Sequence, residues 1–230
     1  MAAHSWTRTI GRVSFLNCDP LFHGLDDTWN VLPAPPSWLT GHLLRKDCVL
    51  APIPAADYAK YADELVLIPD IGICSKGEVG SVLLFSKKSL NEMKSIALPS
   101  DSATSVALLK HLLELQGLTP TFTEMGPDFD LMLESCDGAL LIGDRALESA
   151  KKYPSMVQLD LGQAWLKKSG KPMVFGVFAA RKDTPREYII AAHNALESKL
   201  TQFENSDEQR NAVINWSISR SDLSYERLDK

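Results

Sequence analysis

Small polar residues at the ends of apolar runs are where this sequence can do chemistry. In SDSATSV, Ser100, Ser102, Thr104 and Ser105 crowd the first turn of a predicted helix. The free N–H groups and positive dipole end of such a helix favour an anion, and a carboxylate would fit. One hydroxyl is enough to cap a helix, so four exceed what capping needs. LIGDRAL repeats the pattern, since Gly143 permits a tight turn after an apolar strand and Asp144 can cap the helix that follows. Ser81 sits in VGSVLLF beside Gly80, which lets a backbone or a ligand come close, although a bulge explains a strand glycine equally well. Asn17 ends an apolar strand with an amide that can donate and accept at once; forming a turn is its ordinary role.

Common catalytic signatures are missing. The chain has no GxGxxG, Walker A loop, HExxH or GxSxG, so nucleotide, zinc-protease and serine-hydrolase readings lack a motif. The five histidines, at 4, 23, 42, 111 and 193, stand singly and read as structural or surface groups. Cys18, Cys48, Cys74 and Cys136 form no CxxC pair and are expected to be reduced and mostly buried.

The elements that must position these groups alternate. Strands are expected at IGRVSFL, DCVLAPIP, LVLIPD, VGSVLLFS, SIALPS, TFTE, GALLIGD, MVQLDL and PMVFGVFAA. Helices are expected after Pro36, in AADYAKYADEL, over 103–116, in PDFDLMLES, and over 185–204 and 207–217. In the helix over 103–116, Val106, Leu108, Leu109, Leu112, Leu113 and Gln116 should face inward, with Ser102 or Asp101 as cap. Alternation of this kind implies an α/β fold.

The chain has 230 residues, which at roughly 150 per domain allows one large domain or two small lobes. A polar connection, KKSLNEMK, separates two α/β cycles, and MVFGVFAA can carry the chain back. The expectation is one lobe from 1–84 with 176–230, a second from 85–175, and a ligand cleft between them. With 45% hydrophobic and 23% charged residues, the composition excludes a disordered chain. A net charge of −5 supplies no global field for nucleic acid or anionic lipid, so an anionic ligand must be held by local donors. No stretch approaches the roughly 18 apolar residues of a membrane span, and the N-terminus has no continuous apolar run of a signal peptide. A cytoplasmic location is expected.

Taken in order, RVSFLNCDPL, APIPAADYAKYADELVLIPDIGICSKGEVGSVLLFS, SATSVALL, ALLIGDRAL and DLGQAWLKKSGKPMVFGVFAAR resemble the chorismate dehydratase family of menaquinone biosynthesis, which opens the futalosine route. The likeness covers residues 10 to about 181. It implies a periplasmic-binding-protein-like type II fold, two α/β lobes around a small-molecule ligand. It also implies the conversion of chorismate to 3-[(1-carboxyvinyl)oxy]benzoate and water, without metal or organic cofactor. By motif, Asn17 corresponds to the family's active-site asparagine; Ser81, Ser102, Thr104, Ser105, Gly143 and Asp144 fall on motifs that line the substrate site.

The sequence departs from the family at Met173 and Phe178, where Phe and Trp are more usual, and it ends at Lys230, a helical segment early. A truncated C-terminus or a different packing of the first lobe is expected there. The alternatives are a non-catalytic carboxylate-binding protein of the same fold and a later naphthoate synthase of the same pathway; the FLN, SATSV and LIGD set favours the dehydratase.

Overall fold

The computed structural model describes residues 6–221. His4 and the chain end at Lys230 lie outside the described residues. The strands are β1 (Thr9–Val13), β2 (Asn30–Ala34), β3 (Ala51–Pro54), β4 (Leu65–Ser75), β5 (Val82–Ser86), β6 (Ser95–Pro99), β7 (Thr121–Met125), β8 (Gly138–Ile142), β9 (Val157–Asp160) and β10 (Met173–Arg181). The helices are α1 (Asp19–Phe22), α2 (Pro36–Leu44), α3 (Ala55–Lys60), α4 (Thr104–Glu114), α5 (Phe129–Ser135), α6 (Asp144–Lys152), α7 (Leu161–Ser169), α8 (Arg186–Asn205) and α9 (Asp207–Ile218).

The chain divides into two compact units. Unit 1 comprises residues 1–53, 61–71 and 178–230; unit 2 comprises 54–60 and 72–177. The chain changes unit within β3, β4 and β10, which form one three-stranded sheet in the order β3-β10-β4, and also after Lys60.

In unit 1, β1 runs parallel to β2, and Gly11 donates its N–H to Leu50 O at 2.8 Å. Gly11 lets these backbones approach, because a Cβ there would lie 2.6 Å from that of Ala51. Ile10, Leu39, Leu43, Leu50 and Leu65 are fully buried. Each contributes about 1.5–3 kcal/mol relative to exposure. Helix α2 packs on β1, and α8 packs on α1 and α9.

Unit 2 is built on a five-stranded sheet in the order β7-β6-β8-β5-β9. Strand β6 is parallel to β7 and β8, whereas β5 is antiparallel to β8 and β9. Every residue of β5 and β8 is buried, which explains their continuous apolar sequences. On one side, Phe85, Met132, Leu141 and Ala146 form a core against which Phe129 and Met156 pack.

Three elements differ from the sequence expectation. Strand β2 contains Pro33, which lacks a donor; the strand lies at a sheet edge, where that is tolerated. Helix α7 is carried by LGQAWLKKS, between the cap Asp160 and the left-handed Gly170. In α4 the buried stripe is Thr104, Ser105, Leu108, Leu109, Leu112 and Leu113, so Gln116 lies outside and two hydroxyls take the place expected of apolar residues.

Candidate functional site

Strand direction decides where the polar groups of unit 2 collect. Strands β6 and β8 are parallel, β5 is antiparallel to β8, and β9 is antiparallel to β5. The carboxyl ends of β6, β8 and β9 therefore share one edge with the start of β5. In open α/β sheets, ligands bind outside the carboxyl ends of the strands. Helices α4, α6 and α7 all begin at this edge.

The SATSV segment is more buried than a solvated cap would be. Asp101, Ser102, Thr104 and Ser105 are each less than a tenth exposed, while Ser100 is exposed. The expected side-chain cap is absent: Ala103 is the N-cap residue and makes no side-chain cap bond. Asp101 instead accepts from Arg145 of α6 at 2.5 Å. Thr104 Oγ1 accepts the backbone N–H of Ala56 at 3.1 Å, fastening the first turn of α3 to that of α4.

The LIGD turn lies beside the VGSV turn. Gly143 donates its N–H to Ser81 O at 2.7 Å, extending the β5–β8 ladder by one step. Gly143 has φ 64° and ψ −147°, a conformation open essentially to glycine. It is also the N-cap residue of α6. Asp144 stands one place later, inside the first turn, where a carboxylate favours the positive helix end. Asp144 is thus not the cap, because the chain turns one residue earlier than its side chain suggests.

Sequence reasoning missed Asp160. Its carboxylate accepts from the N–H groups of Val79 at 3.1 Å, Gly80 at 2.7 Å and Gln163 at 2.9 Å. It caps α7 and pins the turn that presents Ser81. An Asp followed three residues later by Gln at a strand end was the readable signal. Gly162 belongs to the same junction, since a Cβ there would meet Gly77 O at 2.5 Å.

Unit 2 therefore gathers Ser81, Ser102, Thr104, Ser105, Gly143 and Asp144 at one sheet edge. Asn17 belongs to unit 1, in a single 3-10 turn (Leu16–Cys18) just after β1, with its side chain exposed. The missed partner there is Asp19, fully buried and ion-paired to Arg12 and Arg220. No group of three or more His, Cys, Asp or Glu among the described residues is arranged to hold a metal ion. No helix among them is long and apolar enough to cross a membrane.

The chain matches the family model described as menaquinone biosynthesis over residues 8–224. It is 34% identical over 192 residues to the chorismate dehydratase of Thermus thermophilus, an alignment covering 76% of this chain and 70% of that protein. Among solved structures, a protein of Archaeoglobus fulgidus superposes with a TM-score of 0.70 at 21% identity, covering 98% of this chain and 86% of the other. A Candida albicans protein described as having the generic periplasmic binding protein fold gives 0.64 at 15% identity, with 96% and 78% covered. The alkanesulfonate-binding protein SsuA of Xanthomonas axonopodis gives 0.64 at 16%, with 96% and 81% covered. These structural likenesses establish the periplasmic-binding-protein fold. The sequence matches go further: the chain belongs to the chorismate dehydratase family of menaquinone biosynthesis.

Proposed function

We propose that this chain is a cytoplasmic carbon–oxygen lyase that converts chorismate to 3-[(1-carboxyvinyl)oxy]benzoate and water, using no cofactor. The observation that carries the reading is the uncharged donor set at the unit 2 edge, where the buried residues Ser102, Thr104 and Ser105 stand at the start of an eleven-residue helix. Chorismate is a dianion whose ring carboxylate is conjugated with the diene. Removing the ring proton beside the enolpyruvyl ether moves negative charge toward that carboxylate, and loss of hydroxide from the neighbouring carbon then gives a benzene ring. Fixed N–H and O–H donors aimed at the oxygens where charge grows lower that barrier.

In this reading Ser81, Ser102, Thr104, Ser105, Gly143 and Asp144 contact the substrate. Asn17 orients and polarises the reacting groups. The substrate's own enolpyruvyl carboxylate takes the ring proton, and the proton leaves with the hydroxide as water. Asp144 is the only carboxylate among these residues, and it stands in the first turn of α6, where the positive helix end favours a negative charge.

Purified chain incubated with chorismate should consume it and yield a product lighter by one water. Asn17→Ala should reduce turnover by on the order of 10²-fold, the effect of losing one well-placed donor. Binding of chorismate without turnover would make the chain a carboxylate-binding protein. If Asp144→Asn abolished turnover but left binding intact, a protein base would replace the substrate carboxylate.

A further inference from the structure

Unit 1 contains a buried carboxylate for which the dehydration scheme has no use. Asp19 is the first residue of α1, two places after Asn17, and is 0% exposed. Its Oδ1 accepts from the Arg12 guanidinium, and its Oδ2 accepts from the Arg220 guanidinium and from Ser217 Oγ, the last at 2.5 Å. Such a group must be fully paired, because an unpaired buried charge is strongly destabilising. The pairing here spans the unit. Arg12 lies on β1, which leads into the Asn17 turn, while Ser217 and Arg220 lie on and just beyond α9.

An indole completes the arrangement. The Arg220 guanidinium lies 3.6 Å from the Trp216 ring centroid, the Arg12 guanidinium 5.5 Å away, and the His23 ring 5.2 Å away. Both arginines are held by the same carboxylate and the same aromatic ring, which restricts their rotamers. In the Asn17 turn, Cys18 N–H donates to Phe15 O at 3.3 Å, Asp19 N–H donates to Leu16 O, and Asn17 is exposed. Its neighbours in the chain, Arg12 before it and Asp19 after it, converge on one buried ion pair.

We propose that Asp19, with Arg220 and Ser217, is a positioning device that locks α9 to the 15–18 turn and so fixes where Asn17 presents its amide. The inference rests on the reading of Asn17 as the catalytic asparagine. Asp19 is a positioning residue and touches no substrate. A small displacement of a reacting group is costly in catalysis, so the device acts on kcat more than on KM.

The test is a double-mutant cycle on the full chain with Asn17→Ala and Arg220→Ala, with Arg220→Lys and Ser217→Ala as milder variants. Arg220→Ala should lower kcat by about tenfold or more with KM little changed, and Arg220→Lys should restore part of the loss. In the Asn17→Ala background, Arg220→Ala should have almost no further effect on kcat. Independent multiplication of the two losses would overturn the inference. Hydrogen exchange of the peptide spanning residues 14–22 gives a readout that needs no turnover. It should quicken in Arg220→Ala, and to a lesser degree in Ser217→Ala, at temperatures where circular dichroism stays native. Unchanged exchange would also overturn the inference. Native-like turnover by Asn17→Ala would remove the catalytic role of Asn17, while the exchange result would still decide whether the device holds the turn.

Discussion

The carboxylate of Asp101 meets the guanidinium of Arg145 at 2.5 Å, joining the starts of α4 and α6 across the sheet edge of unit 2. The pair is asymmetric, since the Asp101 side chain is 8% exposed and that of Arg145 33%. Asp101→Ala removes the acceptor from beside a guanidinium that is only partly hydrated. A loss of about 1–3 kcal/mol in urea unfolding is expected. A change within about 0.5 kcal/mol, the range of ordinary surface substitutions, would show the pair to be idle.

Much of this edge was readable locally. Apolar runs located β5, β6 and β8, and the glycine and hydroxyl residues after them marked the turns. The partners of those residues were not readable. Thr104 meets Ala56 from 48 positions away, and Asp19 meets Arg220 from 201 away; no local periodicity encodes such pairs. Capping was misassigned at Asp101 and Asp144 for one reason. Short polar side chains at a helix start satisfy local and long-range partners equally well on paper, and only the tertiary neighbour decides.

Gly143→Ala should be harmful out of proportion to its size. Residue 143 has φ 64° and ψ −147°, where a Cβ is strained, and it both caps α6 and bonds Ser81 O. The strain costs about 1–3 kcal/mol. Relief by backbone rotation would move the first turn of α6, including Asp144. Thermal unfolding should show a lowered Tm, and chorismate affinity should fall with it; a variant with both unchanged would count against a built turn at this position.

Thr104 separates anchoring from ligand contact. Thr104→Ser keeps an acceptor for Ala56 N–H, whereas Thr104→Val keeps the shape and leaves that donor without its partner. Thr104→Val is therefore expected to lose about 1–3 kcal/mol of stability, while Thr104→Ser stays close to native. Chemical denaturation compares the two directly, and a loss in Thr104→Ser with Thr104→Val near native would show that the methyl group, not the hydroxyl, does the holding.

The cysteines supply a pH-dependent prediction with a definite sign. Cys18, Cys48 and Cys136 are buried and Cys74 is exposed; all four are free thiols. Burial, with the nearby negative charge of Asp47, pushes the Cys48 thiol up to about 12. Burial also raises that of Cys74, less strongly. A thiol whose pKa is raised by folding binds its proton more tightly in the native state. The stability that Cys48 contributes is whole below the unfolded value of 9.0 and is lost as pH rises from there toward 12. Unfolding free energy should decline across that alkaline interval, and Cys48→Ala should flatten the decline. At pH 8 in the native state, an alkylating reagent should reach Cys74 alone, since the thiolate is the nucleophile and the other three lack access. Peptide mass mapping after brief alkylation reads this directly. Native-state labelling of Cys48 at the rate of Cys74 would show that 49–53 and β1 open far more readily than their burial implies.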